Sequence, residues 1–410
     1  MRGVKKTLCI FLERIFVSDI RRNKVLFKWD NFFAGLWPMT AVLVIYFQNI
    51  TASYALTMSV FSVLGLSQAV LEIPTGFFSD KIGRRQTLIL SALFILICLI
   101  LWALAGHLQC VPLLFAGAVL YGASDALMSG TLDALMFETM QEIGEKRDFK
   151  LIYARSRVYN QAGLIISVLI ATAVLYFKSL QFLAWLSVLP MTGQLIVSFF
   201  YVNPCRNNRR ISGKEAFNLK KALCLFWQNK KLRFFSLIEI LDTSFYTAIN
   251  RFEGVYFENL ITVWAINLAR ACKQIAGMIG YVLMPFFNSV RPLKILFGSV
   301  LWGAVSCYIA LFFNSVLSPF VMALSNLSFG LTETTKEDLL QKEYLSEQRA
   351  TMGSLLSLLT SGFQSIVCAA SGMAADIFGV RNAFFCLIFC RLTVCFLCAR
   401  KIVGKNKNFC

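Results

Sequence analysis

Residues Gly76 to Leu88 read GFFSDKIGRRQTL. Asp80, Lys81, Arg84 and Arg85 are crowded into this short turn, and apolar runs at 54–79 and 86–106 flank it. A helix needs about 20 apolar residues to cross a bilayer core. Two such runs joined by a few charged residues therefore predict a helical hairpin that enters and leaves a membrane. Each residue of the turn has a physical task. Gly83 supplies the backbone freedom that a very short loop requires, and Gly76 permits close helix approach. Asp80 is a carboxylate able to meet a helix N-terminus, where free N–H groups and the dipole favour an anion.

Outward from this hairpin the pattern repeats. Apolar runs fall at 26–48, 54–79, 86–106, 111–138, 153–177 and 181–202. After a polar stretch they resume at 232–256, 261–287, 293–313, 316–340, 350–375 and 380–400. Of 410 residues 57% are hydrophobic and 15% charged, and the mean hydropathy is +0.65. Twelve spans with short loops use nearly the whole length, so no sizeable soluble domain remains. The expected fold is an all-α membrane protein of twelve transmembrane helices in two six-helix halves. These are residues 1–202 and 232–410, joined by a basic, amphipathic linker at 203–231. Residues 7–20 are interrupted by Glu13, Arg14 and Asp19 and have no cleavage site after them. They read as an interfacial helix rather than a signal peptide.

The net charge of +18 would suggest nucleic acid for a soluble chain. Its distribution points instead to topology. All but six of the 40 Lys and Arg lie in segments that alternate along the chain and share one side; the exceptions are Lys178, Arg251, Arg270, Lys273, Arg381 and Arg391. By the positive-inside rule both termini are expected on the cytoplasmic side of the membrane. Nucleic acid is not an expected partner, and the linker's Lys220, Lys221, Lys230 and Lys231 would face lipid phosphates. The 13 cysteines are scattered through apolar runs, and the single histidine, His107, sits at a helix end, so no metal site, cofactor or catalytic group is expected. No G-x-x-x-x-G-K-[ST] loop occurs, which weighs against a nucleotide-driven pump.

The turn at Gly76, Asp80, Lys81, Gly83, Arg84 and Arg85 resembles the G-x-x-x-D-[RK]-x-G-R-[RK] signature of the major facilitator superfamily at every defined position. The preceding EIPTG (Glu72 to Gly76), SGTLDALMFETM at the end of span four and EQRATMGSLLSLL opening span eleven look like a bacterial subgroup of it. The resemblance implies a monomeric secondary transporter working by alternating access. It also implies a conformational latch. Asp80 would meet the start of span eleven near Arg349 to Thr351, and Arg84 or Arg85 would pair with Glu138. The halves echo each other weakly, TLDALMFETMQEI before Arg155 against TETTKEDLLQKEY before Arg349. Departures count against a drug/proton antiporter. Ala118 stands where the family often has an arginine, no glycine–proline pattern follows Gly163, and FFNSVRPLK lacks the aspartate.

Ionisable groups at membrane depth are costly and usually face a cavity. In span eight, Asn267, Arg270, Lys273 and Gln274 recur at helical spacing as one polar stripe. Arg270 and Lys273 are placed about 12–17 Å from the outer end. With Arg251 of span seven they are the candidate substrate-binding residues, suited to an anion. The competing use is neutralisation of Asp242 and Glu253. Asp125 and Asp133 of span four, with Asp242, are the candidate proton-coupling carboxylates, and Asp133 could instead pair with Arg155 or Arg157. Arg391 has no partner evident in the sequence. The reading is a secondary transporter for a small, anionic solute of carboxylate or carboxylate-siderophore type, driven by protons. The rivals are multidrug/proton efflux and a transporter-like sensor that binds without moving its solute. A membrane-embedded transferase or hydrolase is disfavoured by the missing catalytic and metal sets.

Overall fold

The computed structural model describes residues 20–145, 149–204, 226–287, 289–343 and 349–403. The surface helix expected at 7–20 and most of the 203–231 linker lie outside the described residues. Within them the secondary structure is helical, and twelve spans follow the expected apolar runs to within a few residues. Span one joins Asn23–Gly35 to Leu43–Thr51 through a 3-10 turn at Pro38–Ala41, bending by 48°. Span two is Tyr54–Ile82 and span three Arg84–Leu108. Span four is Val111–Met128 continued by Thr131–Glu142, span five is Phe149–Phe177, and span six is Leu180–Leu186 continued by Val188–Phe200. The second half runs Lys230–Glu258, Val263–Leu283, Pro292–Phe313, Ser318–Leu324 with Phe329–Glu343, Arg349–Phe378 and Val380–Val403 as spans seven to twelve.

Local chemistry sets several of these ends. Ser53, Ser179 and Asn229 cap spans two, six and seven by accepting first-turn N–H groups with their side chains. Prolines occupy the first turns of spans four, nine and ten, where the missing N–H costs nothing. Gly83, at φ +113°, turns span two into span three with a single residue.

Eight of the described helices are long and apolar enough to cross a membrane, and the bent first span makes nine. Spans seven, eight and ten fall short of that standard. They carry Glu239, Asp242, Arg251, Glu253, Arg270, Lys273, Glu333 and Lys336, and the bundle buries or pairs most of these groups instead of offering them to lipid.

The two halves repeat one packing arrangement. A Cβ on Gly122 of span four would sit 2.4 Å from the Leu64 carbonyl oxygen of span two. A Cβ on Gly330 of span ten would likewise sit 2.4 Å from the Tyr281 nitrogen of span eight. Small residues that let backbones touch are how helices associate without a hydrophobic driving force between them. At the end away from the basic loops, one apolar core joins both halves, with Phe47, Trp102 and Leu183 from the first and Phe252, Cys307 and Phe384 from the second. At the basic end each half keeps its own core. One is built around Phe27, Leu135 and Tyr201, the other around Phe235, Leu296 and Val394. The halves thus share one apolar core at the sparsely charged end and, among the described residues, keep separate apolar cores at the basic end.

Candidate functional site

Between the halves lies a cavity of about 300 Å³. The first half lines it with Trp37, Phe61, Gln68, Trp102, Tyr121 and Asp125, among others. The second half contributes Thr247, Asn250, Arg251, Arg270 and Gln364. The bend in span one turns Trp37 to this wall, and helical periodicity puts Tyr121 and Asp125, four apart, on one face of span four. The first half gives the wall most of its apolar and aromatic surface, and the second half lines it with polar and charged side chains, so polar groups converge on one side of the cavity.

Arg270 is partly buried and keeps hydrogen-bonding capacity. One terminal nitrogen donates to the Asn250 carbonyl at 2.7 Å, while its Nε is buried with no hydrogen-bond partner. Arg251 lies with its guanidinium 4.3 Å from the Phe61 ring centroid and 3.8 Å from the Cys368 Sγ. Among the described residues no carboxylate lies within 4.0 Å of either guanidinium. An arginine in such surroundings normally finds an anion. Asp125 lines the same cavity from the opposite half.

Lys273 sits differently from its stripe-mate Arg270. Its ammonium is bonded to the Glu253 carboxylate and to the Asn250 side-chain oxygen, and Glu253 is fully buried. Asn267 is also fully buried, and neither of its amide atoms finds a partner, whereas Gln274 is exposed. The four polar residues of span eight therefore do not share one environment. Only Arg270 lines the cavity, because the four share one side of the helix but sit at different depths, and neighbouring spans cover that side unequally along its length.

Asp242 is not neutralised by Arg270 or Lys273. Arg391 donates to it through Nε at 2.8 Å, and Lys336 does so at 3.1 Å. Lys336 also pairs with Glu239 at 3.2 Å and Glu333 at 2.6 Å and bonds the Thr243 hydroxyl at 3.0 Å. This corrects two sequence expectations. Arg391, without an evident partner in the sequence, has Asp242. Lys336, counted among the loop cations, is 3% exposed and belongs to the interior. Tyr246 stands between the two ion groups, its ring 5.0 Å from the Arg391 guanidinium and 5.6 Å from the Lys273 ammonium. Buried charges held in such a network are costly to strip of one partner.

At the basic end, Arg84 bonds Ser79 at 2.9 Å and pairs with Glu138 at 3.4 Å. Arg85 turns to span six, donating to the Phe199 carbonyl at 2.8 Å. The Arg84–Glu138 pair lies within the first half. The side chains of Asp80 and Lys81, and Gly76, lie outside the described set. Asp133 sits 4.0 Å from Arg157, both about half exposed, away from the cavity. Glu72 of the EIPTG stretch does join the halves, accepting from Ser357 of span eleven at 2.8 Å and Ser129 of span four at 3.4 Å.

Sequence reasoning missed the aromatic wall, Lys336 and Glu72's role as a bridge. Lys336 had one local signal, its i,i+3 spacing from Glu333. The aromatic wall had none, because Trp37, Trp102 and Tyr121 come from three different spans.

No curated protein sequence matches the chain. Among solved structures it is similar to the nucleoside transporter NupG, with a TM-score of 0.75 and 15% identity over 95% of this chain and 100% of that one. It is similar to the POT family transporter PepTSo, with a TM-score of 0.71 and 10% identity over 94% and 97%. It is also similar to the E. coli fucose:proton symporter FucP, with a TM-score of 0.60 and 15% identity over 95% and 99%. At these identities the likeness is one of fold. The sequence model of the Major Facilitator Superfamily matches residues 25–399. With that match over nearly the whole length, and twelve spans enclosing one cavity between two halves, the chain belongs to the Major Facilitator Superfamily and is a secondary transporter of small molecules, not an enzyme.

Proposed function

We propose that the chain moves a small organic anion across a bacterial inner membrane by alternating access, coupled to protons. The observation that carries this reading is the pair of cavity-lining guanidiniums, Arg251 and Arg270, with no carboxylate partner among the described residues, while Lys273, Lys336 and Arg391 are all neutralised. A carboxylate entering between the halves would supply the anion that both arginines lack.

Asp125 is the proton site in this scheme. It faces the same cavity as the arginines. Protonation would remove its charge and leave the arginines to the solute, so anion and proton would travel together. Asp133 and Asp242 take other roles in the proposal, because each already has a cationic neighbour. Lys273 supports the site by fixing Asn250, whose carbonyl in turn holds Arg270. The basic end, with both termini, is taken as cytoplasmic, and residues 1–202 and 232–410 as the halves that rock about the linker.

Counterflow of radiolabelled organic acids in proteoliposomes tests the reading. Purified wild type should exchange at least one small carboxylate, and Asp125→Asn should keep exchange but lose uphill uptake driven by a pH gradient. Exchange of neutral solutes only, unaffected by Arg251→Ala or Arg270→Ala, would dismiss the anion.

A further inference from the structure

We infer that the solute carries a planar aromatic ring as well as its anionic group, and that Trp37 is the residue that selects the ring. The inference rests on the anionic reading above and adds a second recognition element to it. Trp37, Trp102 and Tyr121 form a cluster in the cavity wall. Trp37 and Trp102 are stacked at 17° with centroids 6.3 Å apart, Trp102 and Tyr121 at 14° and 5.8 Å, and Trp37 and Tyr121 are 5.7 Å apart.

The three rings are not equivalent. Trp102 is 2% exposed and its indole N–H donates to the Leu114 carbonyl at 3.0 Å, so it is a fixed backing for the other two. Trp37 is only partly buried, yet its indole N–H is shielded and has no hydrogen-bond partner. A buried indole N–H nearly always finds an acceptor. The residue as a whole lines the cavity, so the face left open to a solute is that of its ring. Trp37 thus presents to the cavity a ring held in place by its contacts with Trp102 and Tyr121.

The arrangement also divides recognition between the halves. The rings come from spans one, three and four, and the guanidiniums from spans seven and eight. A solute with a ring at one end and an anion at the other would touch both halves at once, which a bare carboxylate of the same charge would not. A volume of about 300 Å³ lies at the small end for ligand sites. It suits one ring system with a short acidic arm.

The test is equilibrium binding to purified full-length protein with three matched probes: benzoate, cyclohexanecarboxylate and benzyl alcohol. Benzoate should bind about two- to ten-fold more tightly than cyclohexanecarboxylate, whose ring has the same carbon count but no π face. Trp37→Leu should abolish that preference and Trp37→Phe should keep most of it, with thermal unfolding confirming that both variants fold. Equal binding of benzoate and cyclohexanecarboxylate, both weakened by Arg270→Ala, would overturn the ring and leave the anionic reading standing. Benzyl alcohol binding as well as benzoate, with no effect of Arg270→Ala, would overturn the anionic reading while the ring survived. Saturable binding by none of the three up to millimolar concentration would overturn the inference.

Discussion

The carboxylate of Asp376, at the end of span eleven, accepts the backbone N–H of Tyr54 at 2.7 Å, in the first turn of span two. The same carboxylate accepts the Ala55 N–H at 2.9 Å and the Ser53 hydroxyl at 2.7 Å. An anion thus seats on the exposed N–H groups of a helix start, where the dipole favours it. The two helices belong to different halves, and the contact lies at the end where the halves share one core. Its placement mirrors the contact expected at the other end between Asp80 of span two and the start of span eleven. One pair of helices would then carry a carboxylate clasp at each end.

Asp376→Asn should loosen the observed clasp while keeping its shape. One charge at a helix start contributes about 0.3–1 kcal/mol at an exposed site, so populations should shift roughly two- to five-fold towards states open at that end. Spin labels at Gln109 and Asn314, on the two halves at that end, would report the shift as longer distances. Identical distance distributions in variant and parent would remove the clasp as a conformational control.

Asp80→Asn should act in the opposite sense. Transport should fall strongly with expression preserved, and cross-linking across the basic ends of the halves should decline. With the proposed Asp80 latch at one end and the Asp376 clasp at the other, the double variant should lie nearer the parental distance distribution than either single one. Unchanged transport and cross-linking in Asp80→Asn would eliminate the basic-end latch.

Arg391→Ala should destabilise the protein more than a surface change does, by about 3–5 kcal/mol, because it strips a buried carboxylate of one partner. Removing both charges with Asp242→Asn and Arg391→Gln should recover part of that loss. Asp242→Asn combined with Arg270→Gln should show no such recovery, since these two residues are not paired. Mutual rescue in the second combination instead of the first would contradict the network.

Arg270→Ala should weaken binding of the proposed anionic solute by more than ten-fold, from the loss of one charge-assisted contact of about 1.5–3 kcal/mol. Lys273→Arg should also impair function, indirectly, because a guanidinium cannot reproduce the compact ammonium's bonds to Glu253 and Asn250. Isothermal titration with the anion identified by counterflow separates the two. Arg270→Ala should raise Kd, and its Kd remaining at the parental value would exclude Arg270 from the site.

Orientation is open to chemistry on intact cells. In a background without reactive thiols, an impermeant reagent should label Ser179→Cys, at the cap of span six, and miss Asn208→Cys in the linker. Labelling at 208 from outside would invert the proposed topology.

The sequence by itself determined the number of spans, their ends to within a few residues, and the side on which the basic loops gather. Apolar length, caps, turn glycines and loop charge are local properties that a single run of residues carries whole. It also picked out Arg251, Arg270 and Asp125 as ionisable groups that must avoid lipid. The partners of those groups were decided by tertiary structure alone. Asp242 meets Arg391 across 149 residues of chain and Lys336 across 94, and Asp376 reaches Tyr54 across 322. Which buried charges touch depends on how each helix is rotated and how deeply it is set against its neighbours. That depends on close contacts such as Gly122 on span two and Gly330 on span eight, which no periodicity in one helix encodes. So Arg270 and Lys273, three residues apart on one stripe, end in different roles: one opens on the cavity and the other is bound to Glu253.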